Sequence, residues 1–292
     1  MRIHHLDCAS MCPVGGRLYD GCSHGLLGRL VSHCLLLETA SGLVLVDTGI
    51  GLRDTLDPYP RLSALYVNLL NVQLDPARTA VRQIRRLGYD PRDVRHVVLT
   101  HLDFDHAGGL EDFPAAEVHV LRRELGSARH RDGFVAQRRY RPRQWDDVRR
   151  WRLYDSPQGG ERWFGFRAVR ELAGLPPEIL MVPLPGHTWG HAGVAVDTGR
   201  GWLLNAGDAY FYRGEIGSTE RRCTPGLRFY QTLMEVDRRL RFHNQQRLRE
   251  LSLDPRADVT IFCGHDAVEF YALRAGRPIP RSADAHLVRD AR

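Results

Sequence analysis

Short apolar runs alternate with glycine-containing turns along most of the chain. His33–Glu38 and Leu43–Asp47 are two such runs, and Thr39–Gly42 between them is a turn signal, so the pair reads as a β-hairpin. Thr79–Leu87 spaces its apolar residues as a helix does and stops at Gly88. Val94–Thr100 and Glu117–Leu121 read as buried strands. The second half repeats this style. Ile179–Leu184 is a strand, Gly193–Asp197 and Trp202–Ala206 form a second hairpin, a helix is expected near Leu227–Leu251, and Val259–Cys263 is a last strand. Two similar halves of strands and helices predict an α/β fold with two sheets face to face and helices outside.

Two stretches fit neither half. Asp57–Leu74 is rich in Leu, Tyr and Val, and Gly126–Leu175 is long, Arg-rich and aromatic. Both read as insertions, bounded roughly at 53–75 and 126–175, near the mouth of a site, because long excursions from a compact domain tend to form lids or walls. The remainder is expected to be one domain over 1–292, and the Pro/Arg-rich tail after Arg274 to be loosely ordered.

Composition changes this picture little. The net charge is +6, and no lysine occurs, so every cation is arginine. The run Arg129–Arg152 mixes Arg with aromatics, as nucleic-acid grips do. A solvated helix face is the favoured reading of that run, and nucleic acid is disfavoured as a partner. The six cysteines form no CxxC pair, and the first residues, MRIHHL, have no apolar segment behind them. Free thiols and a cytoplasmic location follow as expectations. Cys8 and Cys12 lack the second pair that a four-ligand site needs. No apolar run is long enough to span a membrane.

The candidate chemistry sits in the loops that follow the strands. In Thr100-His101-Leu102-Asp103-Phe104-Asp105-His106-Ala107-Gly108-Gly109, four candidate ligands fall within six residues. Imidazole and carboxylate together suit divalent transition metals. Three more loops each deliver a candidate: Pro185-Gly186-His187, with Thr188-Trp189-Gly190-His191 after it; Ala206-Gly207-Asp208; and Cys263-Gly264-His265.

These motifs resemble the metallo-β-lactamase superfamily: Asp47 after an early strand, an HxHxDH-type loop, a GHTxGH loop, a lone GD and a late GH. The likeness spans Ile3 to His265. It implies a four-layer αββα sandwich. It also implies two divalent ions, zinc first, with manganese or iron as alternatives. One would be held by His101, Asp103 and His187, the other by Asp105, His106 and His265, with Asp208 bridging. Asp47 would support the ligand loop, and His191 would stand beside the pocket. The sequence departs from the family at Asp103, where the family has His, giving HxDxDH. A carboxylate there is a harder ligand and favours manganese or iron somewhat more. Turned away, it would leave the first pocket incomplete.

The resemblance further implies a hydrolase, in which a metal-bridging hydroxide attacks the carbonyl of a small-molecule ester or lactone. Acyl-homoserine lactones are one such substrate. Asp105 would assist proton transfer, and Tyr210 or Tyr212 would donate to the developing oxyanion. The opening His4-His5-Leu6-Asp7-Cys8 is similar to lactonase-like members. Glyoxalase II-like thioester hydrolysis, an iron-dependent sulfur dioxygenase and a nuclease of the same fold are the rival activities. A homodimer remains open as the assembly.

Overall fold

The computed structural model describes residues 1–156, 162–168 and 172–280. Among these the strands are β1 (Arg2–Met11), β2 (Leu30–Thr39), β3 (Gly42–Val46), β4 (Val72–Gln73), β5 (Val94–Val98), β6 (Glu117–Leu121), β7 (Trp151–Tyr154), β8 (Arg162–Trp163), β9 (Phe166–Arg167), β10 (Ile179–Pro183), β11 (Ala192–Asp197), β12 (Trp202–Asn205) and β13 (Val259–Phe262). One sheet has the order β4-β1-β2-β3-β5-β6-β7, and a second has the order β10-β11-β12-β13. β8 and β9 form a small ribbon apart from both.

Both hairpins fall where the alternation of runs and turns placed them: β2 pairs antiparallel with β3, and β11 with β12. The strands are apolar on both faces because both faces are covered. Leu35, Leu37, Val44, Val46 and Val98 of the first sheet meet Met181, Val194, Val196 and Phe262 of the second in one buried cluster. The alternate residues Leu36 and Leu45 turn outward onto Val81 and Ile84 of the helix Ala80–Arg86. On the other side, Leu180, Leu204 and Ile261 pack on Leu248 and Leu251 of the helix Arg238–Leu253. This period-two division of each strand makes the four layers, helix, sheet, sheet and helix.

The stretch at 126–175 differs from its expected role as an insertion. Its Tyr140 and Trp145 are buried in the outer core of the first sheet, and β7 extends that sheet beside β6 in parallel. Residues 157–161 and 169–171 of it lie outside the described residues, as do residues 281–292 of the Pro/Arg-rich tail. The stretch at 53–75 contributes to a buried apolar cluster. Leu62, Tyr66, Val67, Leu70 and Val72 bury against Phe104, Phe211 and Met234. The single helix expected near Leu227–Leu251 is two helices, Pro225–Met234 and Arg238–Leu253. Asp237 starts the second by accepting from the Leu240 N–H. At the break, the Val236 and Asp237 N–H groups both donate to the Gly186 carbonyl. No helix among the described residues is long and apolar enough to cross a membrane.

β3 runs parallel to β5, and β12 parallel to β13, so their carboxyl ends share one edge of the sandwich. The loops leaving that edge carry all the candidate ligands, the usual place for a site in α/β sheets. One buried side chain ties two of these loops together. Glu124, on the helix Arg122–His130, accepts from the Leu102 N–H at 3.0 Å, the Thr188 hydroxyl at 2.6 Å, the Gly190 N–H at 3.1 Å and the Tyr140 hydroxyl at 3.3 Å. Gly190 is required here, since a Cβ on it would collide with the Glu124 backbone. Removing Glu124 orphans several buried donors at once. Glu124→Ala should therefore lower stability by about 3 kcal/mol. Thermal unfolding checks this, and an unchanged midpoint would contradict the clamp.

Candidate metal centre

The turn after β3 puts Asp47 in the left-handed region, at φ 55°. Asp is one of the few side chains that tolerates this backbone. The conformation aims its carboxylate across to the next loop, where it accepts from the Thr100 N–H and the Thr100 hydroxyl, both at 2.8 Å. It also lies 2.9 Å from His106 Nδ1. Asp47 thus holds the start of the His101–His106 loop at three points.

Those contacts determine which ring nitrogens face inward. His106 donates from Nδ1 to Asp47, which leaves its Nε2 lone pair for the cluster. His265 donates from Nδ1 to the Val31 carbonyl at 2.7 Å, with the same result. His101 Nδ1 meets the Thr100 hydroxyl at 2.9 Å, and that hydroxyl spends its proton on Asp47. His101 Nε2 is left buried without a hydrogen-bond partner, as is Asp208 Oδ1. His101 Nε2 belongs to the first pocket, and Asp208 Oδ1 faces His106 and His265, where a further group has room to bind it.

His191 is not placed to ligate. Its Nδ1 donates to the Leu184 carbonyl at 3.0 Å, and its Nε2 accepts from the Asp208 N–H at 2.9 Å. It holds the backbone of Asp208 instead. Gly207, at φ 51°, lets the chain turn there; a Cβ would run into His191 Nε2 at 2.6 Å.

Two groups of ligand atoms result. In the second pocket, His106 Nε2 lies 3.5 Å from His265 Nε2, and Asp208 Oδ1 lies 3.2 and 3.1 Å from the two. Asp105 Oδ2 is 3.9 Å from His106 Nε2 and 3.7 Å from His265 Nε2. A four-coordinate ion with bonds of about 2.1 Å spaces its ligand atoms about 3.4 Å apart. This pocket fits such an ion in spacing, in tautomer and in the unpaired Asp208 Oδ1.

In the first pocket, His101 Nε2 lies 3.5 Å from Asp103 Oδ2 and 3.6 Å from Asp208 Oδ2, while His187 Nε2 lies 3.1 and 3.3 Å from the same two oxygens. Sequence reasoning missed the group beside them. Arg139, 1% exposed at the end of the helix Gly133–Arg139, places Nε 2.6 Å from Asp103 Oδ1 and Nη2 2.6 Å from Asp103 Oδ2. The same Nη2 is 2.7 Å from His187 Nε2. Asp103 therefore faces the cluster and the guanidinium together.

The charges support one another. Burial would raise the Asp208 and Asp103 carboxyls, but imidazoles around Asp208 and Arg139 beside Asp103 hold both well below the usual carboxylate range. Burial, then the other carboxylates, keep Asp105 above its ordinary value, although His106 and His265 oppose this. Burial and His106 press His101 down, yet Asp103 and Asp208 lift it to about 9 in the absence of an ion. Burial and Arg139 push His187 down to about 4.

Neither expected tyrosine reaches the centre. The Tyr210 hydroxyl is fully buried on Glu269, at 3.0 and 3.1 Å from its two oxygens. The Tyr212 ring packs against Gly21, with the Arg213 guanidinium 4.7 Å from its centroid. The residue from this loop that does reach the ligands is Phe211, stacked 4.9 Å from His265 and edge-on to His187 at 5.6 Å. It carries no hydroxyl. Tyr230, from the helix Pro225–Met234, meets Phe211 at 5.8 Å. Burial, then Asp105, Asp103 and Asp208, hold its phenol well above the usual range. His96, Glu117 and His119 form another group at the far end of β5 and β6, but Arg152 already pairs with Glu117 at 2.7 Å.

A two-sheet sandwich with a buried His/Asp cluster on its strand-end loops defines a class of metal-binding proteins. The family model of the metallo-beta-lactamase superfamily matches residues 27–265, and the chain belongs to that superfamily. It is 40% identical to a probable metallo-hydrolase of Mycobacterium tuberculosis over 91% of this chain and 80% of that one. It is 34% identical to an N-acyl homoserine lactonase of Bacillus thuringiensis over 39% of this chain and 45% of that one. Its fold resembles a solved N-acyl homoserine lactone hydrolase with N-hexanoyl-L-homoserine bound at its catalytic metal centre. The TM-score is 0.65 at 22% identity, over 91% of this chain and 93% of that one.

Because Asp47 sets the His106 tautomer without touching the pocket, its loss should weaken metal affinity rather than the fold. Asp47→Asn is expected to cost about 10–100-fold in zinc affinity. Competition with a chromogenic chelator measures it, and wild-type affinity in the variant would remove the role assigned to Asp47.

Proposed function

We propose that the chain is a metal-dependent hydrolase of esters or lactones, with N-acyl homoserine lactones as the first substrate class to test. The observation that carries this reading is the donor side of the centre. Tyr230 brings a phenol to Phe211, whose ring stacks on the ligand His265, beside a buried His and Asp set with atoms at metal-binding spacing. A carbonyl seated between them has a donor waiting where negative charge develops. Zinc is the proposed ion, since imidazole and carboxylate at tetrahedral spacing suit it. Asp105, His106, Asp208 and His265 would hold it, and it would supply Lewis acidity and lower the pKa of a bound water.

The chain's own residues do the rest. Asp105, the carboxyl kept above its ordinary value, is the one suited to receive a proton and pass it to the leaving oxygen. Phe211 and the buried wall at Leu62, Tyr66 and Leu70 exclude solvent from the reacting side. A groove of about 570 Å³ runs past Arg139, lined by Val135, Ala136, Trp189, Leu233, Met234 and Val236. Its apolar side suits an acyl chain, while Arg123, His130, Asp132 and Glu235 give the groove a polar side. The likeness to lactonases in sequence and in fold supports the same substrate class.

The zinc-loaded protein is expected to open acyl-homoserine lactones faster than it cleaves acylglutathiones or phosphodiesters. Turnover of thioesters alone would transfer the assignment to that class. Tyr230→Phe should lower kcat by about 10²-fold, with KM changed only a few-fold. Steady-state kinetics decide this, and a variant with wild-type kcat would leave the centre without its proposed oxyanion donor.

A further inference from the structure

Ligand spacing alone does not distinguish the two pockets, since the first also spaces its atoms at 3.1 to 3.6 Å. The guanidinium does. We infer that Arg139 takes the place of the first metal ion, so that this chain holds one divalent ion, in the pocket of Asp105, His106, Asp208 and His265. The inference rests on reading that pocket as the hydrolytic metal site.

Three observations carry it. An imidazole nitrogen has one lone pair, and a guanidinium only donates. His187 Nε2 lies 2.7 Å from Arg139 Nη2 and 3.1 Å from Asp103 Oδ2, and whether it accepts from the guanidinium or donates to the carboxylate, no lone pair remains there for an ion. The other ring nitrogen, Nδ1, is buried with no partner and is not among the cluster contacts.

Second, the guanidinium is fully engaged. Nε and Nη2 hold the two oxygens of Asp103, Nη2 also holds His187 Nε2, and Nη1 donates to the His187 carbonyl at 3.2 Å and the Met234 carbonyl at 2.7 Å. All five donors of an arginine are used. Releasing His187 to a metal would strand a donor on a side chain that is 1% exposed, which is costly.

Third, the charges leave little room for another cation. Nη2 is 2.6 Å from Asp103 Oδ2. An ion bonded to that oxygen at about 2.1 Å could lie no more than about 4.7 Å from Nη2, where a buried monocation and dication repel strongly. Asp103, Asp105 and Asp208 together carry three negative charges, and one arginine with one divalent ion balances them. The replacement of His by Asp at position 103 then has a reason. A neutral imidazole there would leave Arg139 buried without a counter-ion.

The test is the metal content of the full chain, stripped with a chelator, reloaded with excess zinc, desalted and measured by mass spectrometry. Wild type is expected to retain about one zinc per chain, and the double variant Asp103→His/Arg139→Gln about two. Two zinc ions in wild type would overturn the inference. Should the double variant fail to fold, the cobalt(II) form of wild type decides alone. An isolated, uncoupled electron-spin signal supports one ion, and a spin-coupled pair overturns it. Lactone turnover separates this inference from the proposed activity. Two ions with turnover would sink the arginine assignment and spare the hydrolase; one ion without turnover would do the reverse; no bound ion would remove both.

Discussion

Three carboxylates, Asp103, Asp105 and Asp208, are buried within a few ångströms of one another, and the rest of the site exists to make that tolerable. Unpaired, such charges would protonate or expel one another, because desolvation and like-charge repulsion act in the same direction. The chain opposes this with imidazoles from separate loops, one arginine and a pocket shaped for a cation. Every other feature of the strand-end edge follows from holding these groups still.

The holding is done by residues that never touch an ion. Asp47 orients His106, the Val31 carbonyl orients His265, His191 pins the Asp208 backbone, and Glu124 joins the Leu102 and Gly190 loops. Each is buried, and each fastens one ligand loop to a rigid element. Strand-end loops alone are too adaptable to set ligand spacing to within a few tenths of an ångström. The sandwich beneath supplies the rigid reference.

Much of this was legible in the residue pattern, for a physical reason. A strand must end before a ligand loop begins, so a buried run followed by Gly and then His or Asp announces both fold and site. That rule pointed to His187, Asp208 and His265, and the run of His and Asp directly after β5 pointed to His101, Asp105 and His106, while the apolar runs placed both hairpins within about three residues. Arg139 was hidden because it stands in a long run of arginines and finds Asp103 only through a contact 36 residues back in the chain. Glu124 resembles any exposed helical glutamate until the sandwich closes over it. Tyr230 sits on a helix whose facing partner no periodicity reveals, whereas Tyr210 and Tyr212 drew notice only by lying close to Asp208 in sequence. The helix break did leave a trace, since Asp237 before Arg238-Arg239-Leu240 is an N-cap signal.

The short helix Pro225–Met234 has a double attachment. Its Tyr230 packs on Phe211, which stacks on the ligand His265, and the carbonyl of its last residue, Met234, receives Arg139. Leu233 and Met234 of the same helix line the neighbouring groove. Ten residues thereby join what the protein accepts to which cations it carries. A descendant that reshaped this segment for a different guest would disturb its inorganic complement in the same stroke, so the two traits should diverge together among relatives rather than drift apart independently.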